Sequence, residues 1–503
     1  MIFLAIASWL ASRRLHAGIL HNILRCPMNF FDTTPTGRIL NRFGKDIDTI
    51  DAILPMNIRS MIWCALSVLG TLIIVALGSA WFLLVAVPLI VLNILIQRFY
   101  VSTSRQLKRL ESVNLSPIYS HFDESVHGAS TIRAYRKEKE FMNESLYRID
   151  KHQQAYYPSI IANRWLAMRL ETVGALVVLS AVILAVVSRN MENSTLTAGL
   201  AGLAITYALG VTGALNWLVR MISEIENNIV AIERVQEYTE IPTEADWIIS
   251  INRPPANWPS AGAIVFDNYG VRYREGLDLV LRNITCVING GEKVGICGRT
   301  GAGKSSLTLG LFRILEGAEG AIYVDDVRIG AIGLHDLRKA LTIIPQDPVI
   351  FSGSLRTNLD PFNIYTDEEL WKALEQANLK TFVQNLSEGL NHMCSEKGDN
   401  LSVGQRQLIC LARALLRQTK VLILDEATAA VDLETDELIQ KTIRTAFAEC
   451  TVLTIAHRLN TIIDYDKIMV LDAGMLKEFA PPQELLSNKN SLFYSLAKQA
   501  NIV

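Results

Sequence analysis

The stretch GRTGAGKS at residues 298–305 has the residue types and spacing of a phosphate-binding loop. It satisfies G-x-x-x-x-G-K-[ST], a pattern whose glycines let the backbone curl until its N–H groups face a triphosphate. Lys304 is expected to reach the β- and γ-phosphates, and Ser305 to ligate Mg²⁺. The predicted nucleotide contacts from this loop are Gly298, Arg299, Thr300, Gly301, Ala302, Gly303, Lys304, Ser305 and Ser306.

A second motif, VLILDE at residues 421–426, is an apolar run that ends in two acids. In this position Asp425 can hold Mg²⁺ through water, and Glu426 can polarise a water for attack on the terminal phosphate. The alternative is a strand that simply ends in a solvated turn. Because a phosphate loop is present in the same chain, we favour the catalytic interpretation.

A third feature is LSVGQRQL at residues 401–408, which starts an apolar stretch that runs on as LICLARALL. A helix that begins near Ser402 leaves backbone N–H groups free and directs its positive dipole end outward. Such a helix start favours an anion. The sequence therefore predicts a second group of phosphate contacts here.

The segments on either side of the phosphate loop must position it. EKVGIC before the loop has the pattern of a buried strand, and SSLTLGLFRIL after it has the pattern of an amphipathic helix. This order of strand, loop and helix predicts an α/β P-loop ATPase domain.

In their order along the chain, these motifs resemble the nucleotide-binding domain of ATP-binding-cassette (ABC) proteins, over residues 261–503. The resemblance implies ATP and Mg²⁺ as cofactors, and it makes LSVGQ the signature motif, which closes over the γ-phosphate bound by an opposing domain. Gln346 in IIPQD resembles the Q-loop glutamine, a further Mg²⁺ ligand, and His457 in TIAHR resembles the switch histidine. The catalytic residues implied are Lys304, Gln346, Glu426 and His457, and further implied ATP contacts are Tyr273, Ser402, Val403, Gly404, Gln405 and Asp432.

Some of these assignments depend on the family pattern. Without it, Tyr273 in VRYR is simply one face of a strand, and His457 is a core histidine. One position also departs from the pattern, because the usual signature has Gly where this chain has Val403. A β-branched side chain adds bulk and restricts the backbone, so this signature is expected to cap the opposing ATP loosely.

The first half of the chain has a different character. Residues 61–79 and 80–97 carry no charge, and each approaches the ~20 residues needed to cross a bilayer. Two more apolar segments lie at 158–187 and 196–222. A buried helix of a large soluble protein could mimic one of these segments, but hardly four. The sequence therefore predicts an all-α transmembrane domain, with a very short outer turn between the first two spans.

The distribution of apolar residues and prolines along the chain predicts where the transmembrane domain and the nucleotide-binding domain begin and end. The opening stretch MIFLAIASWLASRR has an apolar run too short to cross alone, and it is expected to be the tail of a further span. The Pro-rich stretch NRPPANWPSAG at 252–262 has the look of a linker. We expect a partial transmembrane domain at 1–240, a linker at 241–260 and the nucleotide-binding domain at 261–503.

Loop charge predicts the orientation in the membrane. Residues 98–157 contain about ten Lys or Arg, the segment before residue 54 about six, and the turns near residues 79 and 190 at most one. The positive-inside rule then places the basic loops, and the ATPase after the last span, in the cytosol. Within these two cytosolic segments, the stretches 27–48 and 122–135 resemble the intracellular loops that dock on the ATPase in ABC exporters.

Within the exporters, the runs YYPSIIANRWLAMRLE, LNWLVRM, LSVGQRQL and ATAAVDLETDELIQ resemble the second half of the C subfamily, the multidrug-resistance-associated proteins. Members of that subfamily export organic anions such as glutathione and glucuronide conjugates, which need cations inside the membrane. The implied substrate residues are Arg164, Asn216, Trp217 and Arg220. The alternative for Arg164 and Arg220 is snorkelling to lipid headgroups. For Arg169 there are two alternatives, substrate binding or pairing with Glu171 or another helix.

The function expected is ATP-driven export of organic anions by a catalytic C-terminal half that needs a first transmembrane and nucleotide-binding half as partner. The alternatives are an ATP-gated channel or channel-regulating subunit of the same subfamily, and a soluble ABC ATPase, which the four spans disfavour. A net charge of −2 argues against nucleic acid as a partner. The seven cysteines form no C-x-x-C pair, so neither a disulfide framework nor a zinc site is inferred. Membrane lipid surrounds the spans, and the plasma membrane or a vacuolar or lysosomal membrane is expected.

Overall fold

A computed structural model describes residues 2–78, 82–189, 198–426, 433–456, 458–500 and 502. By its internal contacts the chain divides into two units. The first unit contains residues Met1–Leu24 and Thr34–Ile241, and the second contains Arg25–Thr33 and Pro242–Val503.

The first unit is helical and is dominated by a few long helices. Helix α5 (Phe82–His127) has 46 residues and helix α7 (Glu138–Arg189) has 52, so each continues well past the apolar segment that the sequence indicates. The helices up to residue 239 are α1 (Ile2–Ile23), α2 (Met28–Thr33), α3 (Thr36–Asn41), α4 (Leu54–Gly78), α5 (Phe82–His127), α6 (Ala129–Ala134), α7 (Glu138–Arg189) and α8 (Ala198–Thr239), and π-helical turns lie at Arg42–Asp46 and Thr49–Ile53.

Among the described residues, three helical stretches are long and apolar enough to cross a membrane: Thr36–Ile74, Val87–His127 and Glu138–Leu184. They overlap the predicted segments at 61–79, 80–97 and 158–187 over residues 61–74, 87–97 and 158–184. The fourth predicted segment, 196–222, is helical from Ala198 onward, but it is not among the three. The expected turns near residues 79 and 190 fall partly outside the described residues.

The opening apolar run is part of a longer helix than its composition indicates. Helix α1 has 22 residues and continues through the polar stretch that follows the run. Hydropathy marks only the apolar part, whereas backbone hydrogen bonding continues wherever the sequence tolerates a helix.

A small core joins α5, α7 and α8. Tyr100, Leu166, Leu170 and Val219 are buried together, and Trp165 packs against them. Leu166 and Leu170 lie four residues apart on one face of α7, and that face packs against Tyr100 of α5 and Val219 of α8. The remaining faces of these three helices leave large apolar side chains exposed, as a lipid-facing helix requires.

The second unit is built on a mostly parallel sheet. Its strand order is β12-β11-β3-β10-β9-β6, and all neighbours are parallel except β11 and β12. A smaller antiparallel sheet has the order β2-β1-β4-β5, and β7 pairs with β8. The strands are β1 (Ile264–Val271), β2 (Leu281–Ile288), β3 (Lys293–Gly298), β4 (Gly317–Val324), β5 (Val327–Arg328), β6 (Leu341–Ile344), β7 (Gly353–Ser354), β8 (Met393–Cys394), β9 (Val421–Asp425), β10 (Thr451–Ile455), β11 (Lys467–Asp472) and β12 (Met475–Ala480).

Helices pack around these strands and give an α/β arrangement. They are α9 (Lys304–Leu311), α10 (Leu334–Ala340), α11 (Leu355–Leu359), α12 (Asp367–Gln376), α13 (Lys380–Gln384), α14 (Val403–Arg417), α15 (Leu433–Ala446), α16 (Pro482–Ser487) and α17 (Leu492–Gln499). Strand residues such as Ile296, Ile423 and Leu453 are at most 1% exposed, because parallel strands are covered on both faces. The fold class is therefore the expected one, a helical transmembrane region followed by an α/β nucleotide-binding domain.

The segment interpreted as a linker packs within the second unit. Trp258 lies against the core of that unit, and its indole N–H donates to the Val324 carbonyl over 2.8 Å. Upstream, Glu244 forms an ion pair with Arg338 at 2.7 Å. The short helix α2 also belongs to this unit by its contacts, whereas the second loop-like segment, 122–135, belongs to the first unit.

Candidate functional site

The phosphate loop and the two acids lie at the same edge of the main sheet. Strands β3 and β9 both run parallel to β10, which lies between them, so the loop after β3 and the acids at the end of β9 meet at the carboxyl ends. The Ser305 hydroxyl donates to the Asp425 carboxylate over 3.3 Å. The two residues expected to share Mg²⁺ are therefore in contact across the sheet.

Glycine conformation fixes the shape of the loop. Gly298 has a φ of +149°, and a Cβ there would lie 2.2 Å from the Leu471 carbonyl oxygen. Gly303 has a φ of +96°, and a Cβ there would lie 2.6 Å from the Leu281 side chain. Both positions combine a backbone conformation that L-residues avoid with a close neighbour. These glycines let the backbone turn tightly before α9, as a phosphate cradle requires.

The Lys304 side chain folds back over the loop. Its ammonium donates to the carbonyl oxygens of Gly298 and Arg299, at 3.0 and 3.3 Å. Arg299 and Thr300 are exposed in the turn, and Ala302 is buried beneath it. The ammonium therefore lies at the mouth of the loop, where it can exchange these carbonyls for phosphate oxygens.

The electrostatics of Asp425 match a cation site. Burial raises the pKa of this carboxyl and the nearby Glu426 charge raises it further, while the Ser305 hydrogen bond and the Lys304 charge lower it. Two acids at the end of one strand repel each other, and a divalent cation relieves that repulsion. The donor set of a hydroxyl and carboxylate oxygens fits Mg²⁺, and Ser305 and Asp425 would hold it.

Two further site residues meet beside these acids. The side-chain amide of Gln346 donates to the Glu426 carboxylate over 3.0 Å. Glu426 has a φ of +47°, and its backbone N–H donates to the Ile455 carbonyl. The structure thus brings the predicted Q-loop glutamine and the predicted catalytic acid together, although they are 80 positions apart in the sequence.

Tyr273 approaches the phosphate loop from the smaller sheet. Its hydroxyl and the Ser306 hydroxyl lie 2.9 Å apart, within hydrogen-bonding distance. The tyrosine side chain is 37% exposed, so one part of the ring remains accessible to a planar ligand. Sequence reasoning placed both residues at the nucleotide but did not anticipate their contact.

Ser402 and Gln405 of the signature segment bond to each other's backbone. The Ser402 hydroxyl accepts from the Gln405 N–H over 3.2 Å, and the Gln405 side-chain carbonyl accepts from the Ser402 N–H over 2.9 Å. This reciprocal capping box starts helix α14. It satisfies two backbone N–H groups within the chain, so the remaining ones at the helix start, including that of Gly404, are those that can face an anion.

Three predicted site residues cannot be placed in full. Asp432 and His457 lie outside the described residues, as does the side chain of Asn216, although its backbone is within α8.

Two arginines of the predicted membrane segments, Arg169 and Arg220, lie beside tryptophan rings. The Arg220 guanidinium lies over the Trp217 ring, 5.5 Å from its centroid, and the Arg169 guanidinium lies 5.6 Å from the Trp165 centroid. Trp217 is 54% exposed. Within the described part of the chain, neither of these arginines nor Arg164 forms an ion pair with a carboxylate. In the described part of the chain, Arg169 therefore lies beside Trp165 and not beside a carboxylate.

Two residues of helix α14 contact the segment that contains Gln346, and sequence reasoning missed both contacts. Gln407 donates to the backbone beside Gln346, and Arg413 bonds to the Val349 and Asn358 carbonyl oxygens at 2.7 and 2.6 Å. A signal was available for Gln407, because a glutamine lies directly before the buried run LICLARALL. A polar residue at the border of a buried face implies a specific hydrogen-bond partner.

Comparison with known proteins gives matches over both units. Residues 1–215 match the family model described as ABC transporter transmembrane region, and residues 281–429 match the model described as ABC transporter. The chain is 57% identical over 492 residues to ATP-binding cassette sub-family C member 2 of Homo sapiens. It is 56% identical over 492 residues to ATP-binding cassette sub-family C member 3 of Mus musculus. Each match covers 98% of this chain but 32% of the relative, so the chain spans about a third of the length of these curated relatives.

Proposed function

Because the chain belongs to the C subfamily of the ABC transporters, we propose that it is the catalytic C-terminal half of an ATP-driven exporter of organic anions. ATP binding and a membrane location follow from the family. The substrate class, the role of Mg²⁺ and the partner half are the proposed parts.

The observation that carries the catalytic part is the convergence of two side-chain pairs. Ser305 with Asp425, and Gln346 with Glu426, lie at the carboxyl ends of parallel strands, 3.3 and 3.0 Å apart within each pair. Mg²⁺, when bound, neutralises phosphate charge. Lys304 supplies a second positive charge, and Glu426 orients and polarises the attacking water.

The substrate class is supported by the cations of the first unit. An arginine in a membrane segment is costly, and it is retained where it faces a cavity, a ligand or the headgroups. Trp217 and Arg220 offer an aromatic face beside a guanidinium, and both side chains are exposed. An organic anion with an apolar body and a carboxylate, such as a glutathione or glucuronide conjugate, matches that pair. Arg164 and Asn216 are proposed as further substrate contacts.

The partner and orientation complete the proposal. The relatives are about three times as long as this chain, which supports a first half with its own transmembrane and nucleotide-binding domains. In that assembly, LSVGQ closes over the ATP of the opposing domain, with Asp432 and His457 completing the two sites. The excess of Lys and Arg in residues 98–157 supports a cytosolic ATPase.

The test is uptake of a glutathione conjugate into inside-out vesicles that contain this chain together with a first half of a C-subfamily exporter. We expect ATP-dependent uptake that Glu426→Gln abolishes, whereas Glu388→Gln at an exposed position leaves it unchanged. A nucleotide-dependent current with no conjugate-stimulated ATPase activity would instead identify a channel or channel-regulating subunit.

A further inference from the structure

Gln407 is a buried polar residue on helix α14, two positions after the signature glutamine Gln405. It is only 2% exposed. Its side-chain NH₂ donates to the carbonyl oxygens of Pro345 and Gln346, each over 3.1 Å. A buried amide that loses its partners costs roughly 1–3 kcal/mol, so this double contact holds the side chain in one position.

Only the donor end of this amide is used. The Gln407 side-chain oxygen is buried and has no hydrogen-bond partner among the described residues. A side chain kept at this position for packing alone would be better apolar, because an orphaned buried acceptor is unfavourable. The two donated bonds are therefore the property that distinguishes glutamine here.

These bonds lead directly to the catalytic acid. Gln407 holds the backbone of Gln346, and the side chain of Gln346 donates to Glu426. We propose that Gln407 is a positioning residue, which couples the signature end of α14 to Glu426 through the backbone of Gln346. This inference rests on the proposed function, in which Glu426 acts in hydrolysis and the signature closes over the opposing ATP.

The position of Gln407 on the helix makes the coupling short. At 1.5 Å per residue, it lies about 3 Å along the helix axis from Gln405, within one turn of the signature segment. Farther along the same helix, Arg413 bonds to the Val349 and Asn358 carbonyls and to the Asn358 side chain. Helix α14 thus holds the segment from 345 to 358 at two places. If α14 shifts when its signature end closes over the ATP of the opposing domain, Gln346 moves relative to Glu426.

The test compares substitutions that separate hydrogen-bond donation from packing. Gln407→Met keeps the length of the side chain and removes the donors. Gln407→Glu keeps the shape but directs a carboxylate at two carbonyl oxygens. Gln407→Lys keeps donors and omits the orphaned acceptor. ATP hydrolysis is measured on the full chain assembled with a first half, and Gln384→Met on an exposed part of α13 is the matched control.

We expect Gln407→Met and Gln407→Glu to lower kcat on the order of 10-fold, with the ATP KM changed less than about twofold. Gln407→Lys should retain a higher kcat than Gln407→Met, and Gln384→Met should match the wild type. A packing role gives the opposite order, since a methionine suits a buried site better than an ammonium group. Thermal unfolding of each variant confirms that folded proteins are compared, and should the lysine variant not fold, the methionine and glutamate variants decide.

A parallel Glu426→Gln arm separates failure of the inference from failure of the proposed function. If Glu426→Gln is inactive while Gln407→Met and Gln407→Glu hydrolyse ATP like the wild type, the function stands and the coupling is overturned. The coupling is also overturned if Gln407→Met has a higher kcat than Gln407→Lys. It is overturned as well if the variants lose activity through a raised ATP KM at constant kcat. Wild-type hydrolysis by Glu426→Gln overturns both.

Discussion

The side-chain amide of Gln346 donates to the carboxylate of Glu426 across 3.0 Å, which joins the loop after β6 to the end of β9. A neutral donor at this distance orients the carboxylate without neutralising it. The Gln346 amide therefore fixes the direction of the Glu426 carboxylate, the group proposed to polarise the attacking water.

The first prediction concerns that carboxylate. Glu426→Gln removes the charge while keeping the shape, so ATP turnover should fall on the order of 100-fold or more, about 3 kcal/mol, whereas ATP binding persists. Nucleotide trapping and phosphate release measured on the same preparation distinguish the two effects. Lys304→Met should instead weaken nucleotide binding, because it removes positive charge from the phosphate loop. A Glu426→Gln protein with wild-type turnover would show that another group activates the water.

The second prediction concerns the cation and aromatic pair of α8. Trp217→Ala should reduce conjugate uptake while ATP binding is retained. Arg220→Ala should also reduce uptake, and Arg220→Lys should recover only part of that loss, because lysine lacks the bidentate fork of the guanidinium. Vesicle uptake at equal expression is the measurement. Trp9 and Arg13 on α1 form a matched control, since that guanidinium also lies over its tryptophan ring, 5.6 Å from the centroid, although the two residues are four positions apart rather than three. Equal uptake by the Trp217→Ala and Trp9→Ala proteins would favour snorkelling of Arg220.

The third prediction concerns the signature. Val403 is the first residue of α14 and is 37% exposed, so its branched side chain stands where a glycine would leave the helix start open. The full chain without a first half should hydrolyse ATP slowly, and Val403→Gly should raise that rate. Val403→Ala, which keeps Cβ and removes the branches, should fall between them. The idea fails if the lone chain equals the assembly with a first half, or if Val403→Gly leaves the lone chain's rate unchanged.

The fourth prediction concerns the Asp325 carboxylate, which accepts hydrogen bonds from the backbone just before strand β1. Asp325 accepts hydrogen bonds from the backbone N–H groups of Ala261, Gly262 and Ala263 at 2.8, 3.1 and 2.7 Å. Burial alone would raise the pKa of this carboxyl, but the backbone donors together lower it below the ordinary 3.8. Asp325→Asn should lower the free energy of unfolding by roughly 1–3 kcal/mol at neutral pH.

The pH dependence of that effect has a definite sign. Because the folded-state pKa of Asp325 is depressed, its contribution is fully present above the unfolded pKa and is lost as pH falls through the folded pKa. Wild type and Asp325→Asn should therefore differ in thermal unfolding at pH 7, and the difference should shrink as the pH falls below about 4. Asp326→Asn, at the exposed neighbouring position, should behave like the wild type at both values. A constant difference at all pH values would mean that the carboxylate charge is not involved.

Several elements were predictable because their signals are local. The phosphate loop, the strand before it and the helix after it follow from glycine spacing and apolar periodicity over a few residues. The apolar segments at 61–79, 80–97 and 158–187 are likewise visible in composition, although the full lengths of α5 and α7 are not. Their polar continuations remain helical, and only the membrane-spanning part carries a hydropathy signal.

What the sequence by itself determined is the identity of the reactive groups: an ammonium, a hydroxyl and two carboxylates in motifs typical of nucleotide chemistry, and arginines within apolar segments. Only the tertiary structure decided which of them meet. The contacts between Ser305 and Asp425, between Gln346 and Glu426, and between Gln407 and the Gln346 backbone depend on the order β3-β10-β9-β6 and on where α14 packs. Strand order and helix packing are set by the burial of many side chains together, whereas a motif reports only residues adjacent in the chain.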